Sequence, residues 1–239
     1  MFFPYNHCFS YLCRLIFLME RVTVYIDGFN FYYGLKRMKG IDNDWQKFYW
    51  LDIVELFNHF MRKTQVLQKV FYFTTPPINI QKRQRQSALL NANILRNGSK
   101  FEYVKGKFIE KQLICPICQS TYTVPEEKRT DVNISVYMMG DCAKNKMDTL
   151  ILVTADSDLL PTIKYINKNH PDKKVRVFFP PEGFSNDINN YVKRNKGKVV
   201  RLEHNKGKFM SSVMPETVTK DGFTLQEQIA SAILLICFC

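Results

Sequence analysis

Two short acidic motifs carry the types and spacing that could do chemistry. Asp27-Gly28-Phe29-Asn30 sets a carboxylate and an amide three residues apart straight after an uncharged run, and Asp156-Ser157-Asp158 sets two carboxylates around a serine after another. Clustered oxygen donors of this kind are what Mg²⁺ and Mn²⁺ demand. Asp131, at the start of a helix-forming stretch, adds a third arm, with Glu126 and Glu127 in reserve if the register shifts. Each aspartate alone has a plainer reading, as a helix cap or a first-turn partner of the helix dipole. Capping requires neither D-x-D nor an Asp-Gly-Phe-Asn turn, so the set together points to a carboxylate metal centre.

Such a centre needs elements that deliver its members to one place. Val22 to Ile26 is β-branched and aromatic without charge, which predicts a buried strand ending at Asp27. Helical spacing follows to Met38, and again from Leu51 to Arg62, where Ile53, Leu56, Phe57 and Phe60 share a face. Further strands are expected at Val66 to Phe73, Phe101 to Leu113, Thr149 to Thr154, Val175 to Phe179 and Val199 to Leu202. Helices are expected up to Leu95, over Asp131 to Asn145, over Leu159 to Asn169 and over Ser185 to Arg194. Strands alternating with helices imply an α/β protein, with a central, mainly parallel sheet between two helical layers. In such sheets ligands bind beyond the carboxyl ends of the strands, where Asp27, Asp156 and Asp158 fall.

The segments VYIDGFNFYYGL, KRTDVNISVYMM and MDTLILVTADSDLLPTI, in that order, resemble the NYN domains, a branch of the PIN-like nucleases that includes the LabA-like group. The resemblance spans about Val22 to Leu202, and its last segment is the most specific. It implies a PIN-like α/β/α fold and hydrolysis of RNA phosphodiesters by a water activated on Mg²⁺ or Mn²⁺. It assigns the metal-binding acids to Asp27, Asp131, Asp156 and Asp158, with Asn30 assisting, and also matches a family acid at Asp148 that reads as structural. Relatives often carry Asp where this chain has Tyr137, and Ser-Gly where it has Thr154-Ala155. The first departure keeps a second reading open: a PIN-like module that binds RNA and cuts it weakly or not at all. A phosphatase of the haloacid dehalogenase type also uses D-x-D, but it leaves Asp27 unexplained and meets Leu160 where its motif continues with Thr or Val.

The 239 residues carry 34 Lys and Arg against 22 Asp and Glu, a net charge of +12, which suits a phosphate-bearing partner. Lys36, Arg37, Lys82, Arg83, Arg85 and Arg129 are the candidate RNA contacts, with Tyr32 and Tyr33 available either for stacking or for the core. Nothing in the chain reads a 2′-hydroxyl, so DNA stays open as a substrate. Cys115 and Cys118 have zinc-knuckle spacing but form half of a Zn²⁺ site, which Cys142, His170 or a second chain would have to complete. They lie in a Cys-x-x-Cys insertion around residues 113–125, expected as a loop or small ribbon. Seven scattered cysteines argue against a disulfide scaffold and for a reducing, cytoplasmic setting. Residues 1–18 read as an upstream extension before Met19, residues 19–203 as the nuclease domain, and residues 204–239 as a linker with an apolar end too short to span a membrane. Partners expected are RNA, single-stranded or structured, no membrane, and a second copy of the chain in a homodimer.

Overall fold

The computed structural model describes residues 19–220 and 222–226. The readings placed on residues 1–18 and on the apolar end from Ile229 lie outside the described residues. The chain alternates as expected through β1 (Glu20–Asp27), α1 (Gly28–Ile41), α2 (Ile53–Asn58), β2 (Gln65–Thr74), α3 (Ile80–Asn97) and β3 (Phe101–Lys105). A ribbon of β4 (Lys107–Ile114) and β5 (Thr121–Lys128) follows, and then α4 (Thr130–Ala143), β6 (Thr149–Val153), α5 (Leu160–Asn169), β7 (Lys174–Phe179), α6 (Asn186–Arg194) and β8 (Lys198–Arg201). A short α7 (Lys206–Met210) and the pair β9 (Thr217–Lys220) and β10 (Phe223–Gln226) close the described part.

Six strands form one sheet in the order β3-β2-β1-β6-β7-β8, and every neighbouring pair is parallel. Strands buried on both faces need apolar side chains in both directions, which is why β1 and β6 read as unbroken apolar runs. Val22, Val24 and Ile26 point into one core with Trp45, Phe57 and Phe209. Tyr25, Leu150 and Leu152 point into the other, against Ile134 and Met138 of α4 and Ile163 of α5. The sheet thus lies between two helical layers, as a PIN-like three-layer fold requires.

From β1 the chain steps outward through β2 and β3, then returns to the other side of β1 as β6 and steps outward through β7 and β8. The strand order therefore reverses between β1 and β6. At such a switch point the loops leaving the two strands diverge and open a crevice beyond their carboxyl ends.

Three expectations change. The stretch from Phe101 to Leu113 is not one strand: it breaks at Gly106, so that β3 stays in the sheet and β4 leaves with β5 as a separate antiparallel ribbon. Gly106 donates its N–H to the Thr74 carbonyl at 2.9 Å, and a Cβ there would press on the Glu127 and Thr130 oxygens at 2.7 and 2.8 Å. The helix expected from Leu51 to Arg62 shrinks to α2, because Asp52 caps it at the Glu55 N–H, 3.0 Å away, and Leu51 is drawn into a bridge with Val213. The stretch read as a linker is packed: Phe209 is fully buried against Phe31, Trp45 and Phe48, and the Trp50 indole donates to the Pro215 carbonyl at 2.7 Å.

Candidate functional site

Asp27 ends β1 and caps α1, and it is buried. One of its oxygens accepts the Asn30 backbone N–H at 3.0 Å, and the other accepts the Asn30 side-chain amide and the Thr154 hydroxyl, the latter at 3.1 Å. Asn30 thus holds Asp27 in place from the first turn of α1. Gly28 is required between them, since a Cβ there would stand 2.5 Å from the Phe73 carbonyl oxygen and 2.6 Å from the Tyr72 ring.

Across the switch point, Thr154 follows β6 and is buried. Its hydroxyl donates to Asp27 and accepts the Asp156 N–H at 3.0 Å. The Asp156 carboxylate in turn accepts the Asp158 N–H at 2.9 Å, which turns the chain into a short 3₁₀ segment ahead of α5. A single hydroxyl therefore ties the loop after β6 to the acid at the end of β1. Asp156 is half-buried and Asp158 exposed.

Asp131 lies in the first turn of α4, after Arg129 in a left-handed conformation at φ 81°. Burial pushes its carboxyl up to about 6, aided by the charges of Asp27, Asp156, Glu127 and Asp158. Burial also raises Asp27, against hydrogen bonds that lower it, with a further push from Asp156. Asp131 thus feels the charges of the three other expected acids and of Glu127 from β5. The Glu127 carboxylate accepts hydroxyl protons from Thr130 and, at 3.1 Å, from Thr75. It was a reserve in the sequence because its position depends on the ribbon and the Gly106 break, neither of which is written in local periodicity.

Carboxylates raised by burial and by one another are a donor set that suits a hard divalent cation, which would relieve both costs. Among the described residues, however, no three His, Cys, Asp or Glu side chains stand close enough to enclose a metal ion. The fit is therefore one of donor chemistry and charge. Tyr137, where relatives often have an acid, packs edge-on to Phe71 and Phe73 with ring centroids 5.1 and 5.4 Å away, as part of the core beneath α4.

The basic candidates divide. Lys36, Lys82 and Arg85 line a cavity of about 830 Å³ between α1, the 3₁₀ segment Asn43–Tyr49, α3 and the ribbon. Arg83 spends its guanidinium on the Pro77 and Ile78 carbonyls at 2.9 and 3.3 Å, and Arg37 is exposed outside that lining. Arg129 is exposed two residues from Asp131. Tyr32 and Tyr33 are not core residues: 42% and 48% exposed, they stand at the cavity with Tyr49.

Cys115 and Cys118 lie at the tip of the ribbon, where the Cys118 sulfur is 3.0 Å from the Ser120 hydroxyl. That hydroxyl, with the Ser120 backbone and Cys115, brings the Cys118 thiol down to about 7. Neither expected partner within the chain completes a zinc site. Cys142 is buried in the core near the far end of α4, eleven residues or roughly 16 Å along the helix from Asp131. His170 caps the end of α5, where the chain turns back to the amino end of β7.

A six-stranded parallel sheet between two helical layers gives this chain a PIN-like three-layer fold. The chain belongs to the NYN domain family, whose family model matches residues 21–194. It is 26% identical over 203 residues to the 6-hydroxy-3-succinoylpyridine 3-monooxygenase HspA of Pseudomonas putida, an alignment covering 71% of this chain and 62% of that protein's length. A crystal structure of a protein of unknown function from Vibrio parahaemolyticus superimposes with a TM-score of 0.49 at 19% identity, covering 77% of this chain and 94% of the other. Among the described residues no helix is long and apolar enough to cross a membrane.

Proposed function

We propose that this chain is a divalent-metal-dependent ribonuclease whose centre is formed by Asp27, Asp131, Asp156 and Asp158. The observation that carries this reading is the convergence of acids at the switch point: one Thr154 hydroxyl bonds both the Asp27 carboxylate and the Asp156 N–H, and burial with neighbouring carboxylates raises Asp27 and Asp131. A bound Mg²⁺ or Mn²⁺ would supply a water of lowered pKa and neutralise charge on the phosphate. Asp27, Asp156 and Asp158 would hold the ion, Asp27 being pinned by Asn30 and Thr154. Asp131, whose carboxyl burial pushes up to about 6, would orient the attacking water and take its proton. Arg129, Lys36, Lys82 and Arg85 would meet the RNA backbone, and the free thiols of Cys115, Cys118 and Cys142 accord with a reducing, cytoplasmic setting.

The test is cleavage of labelled single-stranded and structured RNA by purified protein with Mn²⁺, Mg²⁺ or EDTA, beside Asp156→Asn. Metal-dependent cutting that the variant loses is the expected result. RNA binding without cutting in either protein would replace the nuclease with an RNA-binding module. The monooxygenase name of the Pseudomonas relative, together with the aromatic and cationic walls of the 830 Å³ cavity, favours one competing reading, a site for a small aromatic acid.

A further inference from the structure

The cavity beside the acids has a composition of its own. Of the residues lining it none is Asp or Glu, four are Lys or Arg, and the apolar share of its wall is rich in rings. Lys36, Lys39, Lys82 and Arg85 take part in none of the ion pairs among the described residues. Cations left unpaired beside aromatic faces are complementary to a ligand that joins a flat ring to an anion.

The rings are arranged for this. Tyr32 lies 5.4 Å from Tyr33 and 5.8 Å from Tyr49 between centroids, and Phe29 meets Phe108 of the ribbon edge-on at 6.2 Å. Side chains as exposed as Tyr32 and Tyr33 leave ring face free for a ligand. The cavity also shares a wall with the acid centre. Gly28, next to Asp27, lines it, as does Tyr72, whose hydroxyl donates to the Gly28 carbonyl at 3.3 Å. The volume falls within the roughly 300–1,000 Å³ of ordinary small-molecule sites, enough for a mononucleotide.

We infer that this cavity receives one unstacked nucleotide of the RNA strand, its base against Tyr32, Tyr33 and Tyr49 and its phosphate on Lys82 and Arg85. The inference rests on the ribonuclease reading for the identity of the strand. Its role would be to fix which nucleotide lies next to the scissile phosphate, so the preference of the enzyme for sequence or for unpaired RNA would originate here rather than at the acids.

The chain has two tryptophans, and Trp50 lines the cavity, so intrinsic fluorescence reports its occupancy. The experiment titrates the full chain in EDTA with adenosine 5′-monophosphate, ribose 5-phosphate, adenosine and nicotinic acid. The expected result is saturable binding of the nucleotide, at least about tenfold tighter than either half of it and than nicotinic acid. Tyr32→Ala, a change at an exposed ring, should weaken the nucleotide by about fivefold or more, the usual worth of one stacked base. Lys82→Ala should weaken it toward the affinity of adenosine. No saturable nucleotide binding, equal binding of ribose 5-phosphate, or tighter binding of nicotinic acid would overturn the inference, the last in favour of a small aromatic acid. Because binding is read without metal or cleavage, its failure is distinguishable from failure of the nuclease assignment.

Discussion

Strands β1 and β6 lie side by side and carry acids at both ends, and the two ends are handled in opposite ways. At the amino ends, Asp148 is clasped by Arg21, whose backbone N–H and guanidinium reach its carboxylate at 2.8 to 3.1 Å. That clasp holds the Asp148 carboxyl below the usual carboxylate range. At the carboxyl ends, Asp27 and Asp131 are raised by burial, and the charges that add to the rise are those of other carboxylates. Asp148 is spent on joining two strands, whereas the acids at the switch point are held together at a cost to the fold. Repulsion among partly buried carboxylates is what a cation at the proposed centre would relieve.

Breaking the switch-point end should have the largest effect. Asp27→Asn or Asp156→Asn should lower metal-dependent RNA cleavage by on the order of a hundredfold or more, measured as initial rates with Mn²⁺, while circular dichroism stays unchanged. Thr154→Val removes the hydroxyl shared by Asp27 and Asp156 without touching either acid, and should cost about 10–100-fold in metal affinity or rate, as loss of supporting partners around metal ligands does. An unchanged rate in that variant would mean that the hydroxyl does not position the acids.

Stability should move in opposite directions at the two ends. Asp148→Asn should leave cleavage intact and lower stability by about 1 kcal/mol, a part-exposed pair with its backbone hydrogen bond, or a fall of about 2–4 °C in Tm. Asp131 has the opposite sign. Its folded pKa of about 6 lies above the unfolded value near 4, so the stability its proton contributes is present below pH 4 and is lost as pH rises through 6. In EDTA at pH 8, Asp131→Asn should therefore raise Tm by about 1–3 °C, the shift being discounted for the half-exposure of the group. A fall in Tm would show that Asp131 is a structural partner like Asp148.

Much of this arrangement is legible in the sequence, for a physical reason. Strands buried on both faces must be apolar throughout, so β1 and β6 announce themselves, and the acids that end them mark the crevice. What escapes is placed by distant contacts. Glu127 enters the acid neighbourhood because Gly106 turns β4 away from the sheet, and no local pattern encodes that departure. Tyr32 and Tyr33 have core-like types at adjacent helical positions, so their exposure depends on what leaves the neighbouring space empty. Phe209 and Trp50 close the α1 side through contacts that link residues 209–215 to residues 31–50, and a polar-looking segment with few apolar residues conceals them. The roles proposed for the four aspartates come from the NYN resemblance; the structure supplies the hydroxyl that couples two of their loops.

The most direct test of a cation centre at the switch point is Mn²⁺ binding, read as loss of the free-ion electron spin resonance signal. It should be measured on the unaltered chain, on Asp27→Asn and on Asp148→Asn at pH 8. The expected result is saturable binding by the chain, retained in Asp148→Asn and lost in Asp27→Asn. No binding by the chain, or equal binding by all three proteins, would contradict a metal centre at the carboxyl ends of β1 and β6.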